Sequence, residues 1–147
     1  MNKVFSVDTP SESTGFLLWK TTNLWQREIK RALVKYDLTH TQFVILASAY
    51  WLSTVHKDVT QVEIANFIDI DKMMTSNVIR KLIDKGLIIR KEHHLDTRAK
   101  VVKLTEKGVE ILKKSMVEVE RFDHLFFGKM SDQNQFNSEL IRLLNKQ

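Results

Sequence analysis

Residues 60–104 of the chain read TQVEIANFIDIDKMMTSNVIRKLIDKGLIIRKEHHLDTRAKVVKL, and the order of local signals within them decides the fold. Thr60 and Glu63 have the spacing of a capping box, which predicts the start of a short helix. Asp71 is a favourable N-cap for a second helix, and Gly86 stops that helix. Two short helices separated by a tight turn are the arrangement of a helix-turn-helix.

A charged hairpin follows this helix pair. Residues 87–92 and 100–104 are rich in β-prone side chains, and they flank a polar tip at residues 93–99. A basic hairpin at this position is difficult to explain as part of a core, because its tip presents Arg98 and Lys100 to something outside the domain. The sequence therefore predicts a two-stranded wing.

The rest of the chain is mostly helical in pattern. Apolar residues recur at helical spacing in residues 13–36 and again in residues 106–147, and residues 43–52 are apolar nearly all round, as in a central helix. We predict one domain over residues 1–147, mostly α with a small β wing. In it, a winged helix-turn-helix lobe at residues 39–105 lies between N- and C-terminal dimerisation helices.

The apolar stripes at the two ends of the chain require a partner surface. These stripes can pack within one chain. However, the first helix and the last two helices each carry such a stripe, and together they suit a bundle made by two chains. We therefore predict an isologous homodimer, in which the second helix of the pair occurs twice, about 34 to 36 Å apart. Thr105 and Ser131 are the predicted N-caps of the two C-terminal helices.

Composition is that of an ordinary globular protein. The chain has 147 residues, 43% of them hydrophobic, which suffices for a core without metals or disulfides. It contains no cysteine, which excludes disulfide bonds and thiolate metal sites. No stretch has the length of a signal-peptide core or of a membrane span, so we expect a cytoplasmic protein with no membrane partner.

The positive charge is concentrated in one quarter of the chain. The net charge is +5, and residues 72–107 hold ten basic side chains against four acidic ones, whereas the remainder holds thirteen basic and fourteen acidic. A local excess favours a surface that binds a polyanion, although a solvated face that only aids solubility has the same composition. Because the excess covers the predicted helix pair and wing, we predict double-stranded DNA as the partner, in the form of a pseudo-palindromic operator that the two recognition helices of the homodimer bind.

The second helix of the pair carries side chains suited to reading DNA. Its first turns hold Thr75, Ser76 and Asn77, which can bond base edges in the major groove, and we assign Arg80 to the same groove. The alternative is that Thr75 and Ser76 are ordinary solvent-facing residues, and we assign Met74 to the core. Phosphate contacts, which fix register without reading sequence, are assigned to Lys72, Lys81 and Lys103.

A family signature spans the wing. Residues 85–88 read KGLI, residues 96–98 read DTR, and residues 101–108 read VVKLTEKG. With the order of elements along nearly the whole chain, these motifs resemble the multiple-antibiotic-resistance regulator (MarR) family of bacterial transcription factors. The pattern departs in the recognition helix, where residues 73–77 read MMTSN in place of the commoner Ser/Thr-rich run that ends in Arg.

The resemblance implies roles for particular residues. In the family an Asp braces the wing Arg, which reaches the minor groove, and these roles fall on Asp96 and Arg98 with Lys100 beside them. It also implies a repressor released by a small aromatic effector that binds between the dimerisation helices and the DNA-binding lobe. Candidate effector contacts, although aromatic stripes are more often core, are Trp19, Trp25, Phe43 and Tyr50.

Catalytic and metal-binding patterns have little support. The sequence has no glycine-rich phosphate loop, no G-x-S-x-G elbow and no cysteine nucleophile, so we predict neither enzyme activity nor a cofactor. His93 and His94 lie beside Glu92 and Asp96, but adjacent side chains on an extended strand point to opposite faces. We therefore predict no metal site there, while a zinc site assembled from distant residues, as in some relatives, stays open.

Two functions from different classes fit these observations. The first is a sequence-specific, dimeric DNA-binding transcriptional regulator. The alternative is a winged-helix protein-interaction module whose basic surface binds an acidic protein partner.

Overall fold

The structure, a computed structural model, describes residues 3–145. Helices make up most of this range, and one antiparallel pair of strands lies between the fourth and fifth helices, so the predicted class, mostly α with a small β wing, is confirmed. Short 3₁₀ turns, Pro10–Glu12 and Val34–Tyr36, lie before and after the first helix. The elements in chain order are α1 (Thr14–Leu33), α2 (His40–Val55), α3 (Gln61–Ile68), α4 (Lys72–Asp84), β1 (Ile88–Glu92), β2 (Lys100–Leu104), α5 (Glu106–Phe127) and α6 (Gln133–Leu144).

Local capping chemistry sets most helix starts. Thr39 and Gln42, which have the capping-box spacing in the sequence, form such a box: the Thr39 hydroxyl accepts from the Gln42 N–H and the Gln42 amide oxygen accepts from the Thr39 N–H, both at 3.1 Å. At the start of α4, Asp71 Oδ1 accepts from the N–H of Met74 at 2.8 Å. These bonds satisfy N–H groups that the first turn of a helix leaves free.

The start of α6 differs from the prediction by one residue. Asp132, rather than Ser131, is the N-cap, and its Oδ1 accepts from the N–H of Gln135 at 2.9 Å. A carboxylate competes well with a hydroxyl at this position, because its charge also interacts favourably with the positive end of the helix dipole.

Helix α2 lies at the centre of the fold, as its apolar surface predicts. It contacts α1, α3, α4, α5 and β2, and its buried residues join those of its neighbours in one hydrophobic core. Because this core includes residues of α1 and α5, these two helices pack together with the helix pair. Its members with at most 1% exposure, alanine apart, are Ile29, Leu33, Ile45, Leu46, Ile64, Ile79, Leu82 and Ile88.

The wing is anchored to the segment that precedes α3. Strands β1 and β2 pair along their full length. On the other side of β2, the Val102 N–H donates to the Val59 carbonyl at 2.8 Å, and Thr60 pairs with Val101. A hairpin held on both sides of one strand is more rigid than an isolated two-stranded ribbon.

Two glycines permit the close connections around the wing. Gly86 has a φ of 74°, a left-handed conformation that lets the chain turn sharply from α4 into β1. A Cβ on Gly108 would lie 2.1 Å from the carbonyl oxygen of Leu87. The first turn of α5 can therefore contact the base of the wing only because position 108 has no side chain.

The terminal helices leave apolar faces without a partner inside the described chain. Helix α6 contributes no buried residue. The exposed large apolar residues of the terminal helices are Phe16, Leu17, Leu18, Trp19, Leu24, Val117, Leu125, Ile141, Leu143 and Leu144.

Within residues 3–145, no helix has the length and apolar character that crossing a membrane requires.

Candidate nucleic-acid interface

Helix α4 turns one side to the core and the other to solvent. Ile79 and Leu82 are fully buried, which fixes the rotation of the helix about its axis. Asn77 and Arg80 are exposed on the other side, and Ser76 is partly exposed. Because Asn77 and Arg80 are three residues apart, their side chains are neighbours on the helix surface. The helix thus offers an amide and a guanidinium group to an external partner.

Thr75 lies on the buried side of α4, which corrects its prediction as a base contact. It is 0% exposed, and its hydroxyl donates to the backbone carbonyl of Asp71 at 2.9 Å. This bond satisfies the one polar group of the side chain, so Thr75 can be buried among apolar neighbours without an unpaired hydroxyl. A side chain enclosed in this way cannot reach a base edge.

Two methionines of α4 occupy solvent positions. Met73 is 76% exposed and Met74 is 48% exposed, so the assignment of Met74 to the core is wrong. Met73 has the i, i+4, i+7 relation to Asn77 and Arg80, which places it on the same stripe. An apolar side chain there can contact the methyl group of thymine. Sequence reasoning missed Met73, although its spacing to Asn77 was a signal that could have identified it.

The wing tip holds the arginine that the sequence singled out. The Asp96 carboxylate accepts from the backbone N–H of Arg98 at 3.1 Å and from its Nε at 3.3 Å. The Arg98 side chain is 92% exposed in spite of these contacts. Asp96 therefore restricts the direction of the arginine while leaving the guanidinium nitrogens Nη1 and Nη2 accessible for a ligand.

The lysines assigned to the interface lie at the surface. Lys100 Nζ lies 3.5 Å from Glu92 Oε1 across the hairpin, so its charge is partly compensated within the wing. An anionic ligand that approaches Lys100 must compete with this carboxylate. Lysines whose side chains are exposed, as phosphate contacts require, are Lys72, Lys81 and Lys103.

None of the four aromatic residues predicted as effector contacts borders the cavity between α1 and α2, and their role as effector contacts stays a prediction. Phe43 is buried in the core, whereas Trp19 and Tyr50 are exposed. Trp25 packs edge-on against His40, and its Nε1 donates to Asp123 Oδ1 at 2.8 Å. Helical spacing among aromatic residues identified core and surface stripes, and it carries no information about which stripe borders a cavity.

A cavity of about 580 Å³ lies instead between α1, α2 and the turn after α3. Its cationic group is Lys30, and His40 adds an imidazole. Burial lowers the pKa of His40 below its ordinary value, and the nearby Asp123 carboxylate acts in the opposite direction. The side chains around the cavity are Gln26, Lys30, Val34, Leu38, Thr39, His40, Thr41, Val44, Ile68 and Ile70.

The two adjacent histidines of the wing behave differently from the sequence expectation. Residues 93 and 94 follow the last residue of β1 and lie in the loop, so the alternation of an extended strand does not apply to them. The His93 and His94 rings stack with centroids 4.7 Å apart. A nitrogen of each ring faces Asp58, from the loop before α3. The prediction of no metal site rested on divergent side chains, and that premise is wrong.

The sequence of the chain matches a winged-helix family model and a bacterial transcriptional regulator. Residues 34–121 match the family model described as an ArnR1-like winged-helix domain. The chain is also 40% identical over 135 residues to an uncharacterized HTH-type transcriptional regulator, YdcH, of Bacillus subtilis (strain 168), and the alignment covers 92% of each protein.

Solved structures share the fold over nearly the whole chain. A mutant MarR from E. coli complexed with operator DNA has a TM-score of 0.78 and 21% identity, and the match covers 95% of this chain and all of that one (100%). CouR from Rhodococcus jostii RHA1, bound to p-coumaroyl-CoA, has a TM-score of 0.79 and 23% identity, with 91% and 93% coverage. At these identities the likeness concerns the fold, which is that of MarR-type regulators.

Proposed function

The chain belongs to the HTH-type transcriptional regulators and carries their ArnR1-like winged-helix domain, and from this premise we propose that it binds a pseudo-palindromic operator as a homodimer. It is a DNA-binding regulator rather than an enzyme. Since a regulator of this kind acts on the bacterial chromosome, we propose the cytoplasm as its location.

The observation that carries the proposal is the exposed stripe of α4 followed by a braced wing arginine. In the proposed complex, Ser76, Asn77 and Arg80 read base edges in the major groove, and Met73 adds an apolar contact. Arg98 enters the minor groove, where narrow A·T-rich segments attract a cation. The flanking lysines Lys72, Lys81, Lys100 and Lys103 neutralise phosphates.

The exposed apolar faces of the terminal helices support the homodimer. Among residues 3–145, large apolar side chains such as Leu143, at 78% exposure, and Trp19, at 66% exposure, are left uncovered. A concentration of exposed apolar side chains on a few helices supports an interface. An isologous dimer through α1, α5 and α6 buries it on both chains and leaves the two α4 helices free for two half-sites.

The cavity between α1 and α2 supports release by a small ligand. Its apolar walls suit an aromatic ring, and Lys30 suits a carboxylate, so we propose an aromatic carboxylate as the effector class. Thr39 borders the cavity and forms the capping box with Gln42, whose amide oxygen also accepts from Lys85 Nζ at 2.9 Å. Lys85 is the C-cap of α4, so a continuous set of contacts joins the cavity to the recognition helix. In this proposal the regulator is a repressor that the ligand releases.

The test is a fluorescence-anisotropy titration with duplex DNA from the promoter upstream of its own gene and with scrambled competitor. We expect a preference for the promoter of about 10³-fold or more. A preference below about tenfold would instead favour the module that binds an acidic protein. Lys113→Ala is the matched control for the interface variants, because Lys113 is an exposed cation on α5, outside the lobe, and its loss should leave DNA affinity unchanged.

A further inference from the structure

Two imidazoles and one carboxylate meet at the base of the wing tip, outside the proposed DNA contacts. Asp58 Oδ2 lies 3.9 Å from His93 Nε2 and 3.8 Å from His94 Nδ1. One donor atom from each of the three residues lies within 4.8 Å of the other two. The cluster is accessible from solvent, because Asp58 and His94 are exposed and His93 is partly buried.

Backbone contacts hold both sides of this cluster against the wing. Asp58 is followed by Val59, whose carbonyl accepts from β2 as part of the wing anchor. The N–H of His93 donates to the Ala99 carbonyl at 2.9 Å, which closes the loop of the hairpin. The loop before α3 and the wing loop are therefore fixed relative to each other, and the donor groups are positioned before any ligand arrives.

We propose that Asp58, His93 and His94 form a binding site for a divalent transition-metal ion, with Zn²⁺ as the best match. Imidazole nitrogen and carboxylate oxygen are the donors that Zn²⁺ accepts alongside thiolate, and three protein ligands with one water complete a tetrahedral shell. Bonds of about 2.0 to 2.1 Å require donors about 3.3 Å apart. The carboxylate must then approach each imidazole by roughly 0.5 Å, and the two imidazole nitrogens, which lie within 4.8 Å of each other, must also approach. Rotation of the exposed Asp58 and His94 side chains provides these movements.

Metal binding at His93 changes the hydrogen bonds of the wing tip. His93 Nδ1 accepts from the N–H groups of Leu95 at 3.1 Å and of Asp96 at 3.3 Å. A neutral imidazole that gives its Nε2 lone pair to a metal carries its proton on Nδ1, and a protonated Nδ1 no longer accepts. The ion and the present turn at residues 95 and 96 are therefore mutually exclusive, so the metal rearranges the turn that braces Arg98.

The first experiment measures the metal alone on the full-length, tag-free protein. We titrate Zn²⁺ against a chromophoric chelator and record the visible absorption of Co²⁺, expecting one ion per chain and the intense bands of tetrahedral coordination. His94→Asn and Asp58→Asn should each weaken binding about tenfold or more. Asn suits position 58 because Asp58 has a φ of 56°, and Asn tolerates the left-handed region.

His124→Asn is the matched control, since His124 is an exposed histidine of α5 far along the chain from the cluster. Unchanged far-ultraviolet circular dichroism confirms that each variant is folded. Equal Zn²⁺ affinity in wild-type protein, His94→Asn and Asp58→Asn would overturn the site. An equal loss in His124→Asn would do the same, because binding would then be nonspecific.

The second experiment measures the wing tip directly. Adding Zn²⁺ should shift the amide resonances of Leu95 and Asp96 in wild-type protein, and at the same subsaturating Zn²⁺ concentration it should shift them less in His94→Asn. Stationary resonances at full metal occupancy would overturn the rearrangement. We further expect Zn²⁺ to weaken operator binding. This expectation rests on the proposed function, and a separate measurement of DNA affinity with and without Zn²⁺ tests it. A metal-free protein that binds no operator contradicts that function while the metal titration still reports on the site.

Discussion

Within residues 3–145, Arg98 pairs with the Asp96 carboxylate, and its side chain is 92% exposed. We expect Arg98→Ala to weaken operator binding by about 1 to 3 kcal/mol, because it removes a minor-groove cation. The melting temperature should stay nearly unchanged, since an exposed ion pair contributes about 0 to 1 kcal/mol to folding. Anisotropy and thermal unfolding measure the two effects. A loss of folding stability as large as the loss of affinity would show that Arg98 is structural.

Asn77 is the exposed α4 side chain best suited to adenine. Its replacement in Asn77→Ala should relax base preference at one position in each half-site, while the other positions keep theirs. The measurement is a selection from randomised operators, followed by comparison of the sequence logos. If the variant returns the parental logo, Asn77 does not read a base.

His40 gives the stability of the fold a pH dependence. Its folded-state pKa is held below the ordinary value of 6.5 by burial, so the unfolded chain takes up a proton at higher pH than the folded chain does. The contribution of neutral His40 to the free energy of unfolding is fully present above pH 6.5, the ordinary pKa of histidine. It is lost as the pH falls from there toward the lower pKa of the folded state. Urea unfolding between about pH 7.5 and pH 5.5 should show this loss, and His40→Gln should show less of it. Equal slopes for both proteins would assign the dependence to other groups.

Residue-level predictions succeeded where the chemistry was local. The Asp96 carboxylate contacts Arg98 two positions away, as the wing signature implied. The prediction for Thr75 failed because Thr75, rather than Met74, lies on the buried side of α4, where a backbone carbonyl satisfies its hydroxyl. Asp58 was missed because only tertiary packing brings it to His93, and spacing along the chain does not record such a contact.

At the scale of elements, helix starts were predicted better than helix extents. The caps at Thr39, Asp71 and Thr105 are each a contact between residues three apart, so the sequence contains all the information they need. Helix α2 extends over His40–Val55, beyond the predicted residues 43–52. Its first turn is set by the cap at Thr39 and its last residues are exposed, so a continuous apolar run marks neither end. The wing strands were predicted closely, since β-prone runs and a polar tip define a hairpin.

Helix α6 depends on a second chain in our proposal, which makes it a test of the dimer. Deleting residues 131–147 should give monomers or aggregates that lose tight DNA binding, because the deletion exposes the apolar face of α5. Sedimentation velocity measures the assembly. An intact dimer after the deletion would reject this role for α6.

A point variant separates the interface from the fold. Leu143 is 78% exposed in one chain, so Leu143→Glu leaves the monomer core unchanged and should still weaken the dimer. Asn137→Glu is the control, because it adds the same charge to an exposed polar position of the same helix.

At the scale of the whole molecule, release by a ligand requires unequal affinity for two states of the dimer. An aromatic carboxylate must bind the form that cannot hold DNA more tightly, since equal affinity for both forms shifts nothing. A tenfold loss of DNA affinity corresponds to about 1.4 kcal/mol of coupling, and operator DNA must weaken the ligand by the same factor. Calorimetric titration of benzoate into free and operator-bound dimer measures both affinities. Identical benzoate affinities for the free and the operator-bound dimer would contradict allosteric release.

Oxidants provide a contrasting treatment. The chain has no cysteine, and its five methionines are slow targets, so peroxide should not release DNA rapidly and reversibly through thiol chemistry. Fast release that a thiol reductant reverses would contradict this expectation.

The proposed base-reading side chains belong to one continuous segment, residues 59–104, whose parts are joined by hydrogen bonds within the segment. The carbonyl of Val59 holds β2, and Arg90 Nη1 donates to Gln61 Oε1 at 3.0 Å, so the wing stays attached to the start of α3, which in turn packs against α4. In evolutionary terms, codon changes at the exposed positions of residues 59–104 leave unaltered the core that this segment shares with α1, α2 and α5. We expect such changes to redirect the protein to new genes while the proposed dimer helices are inherited unaltered. Related regulators should therefore diverge in operator sequence faster than in the way their subunits associate.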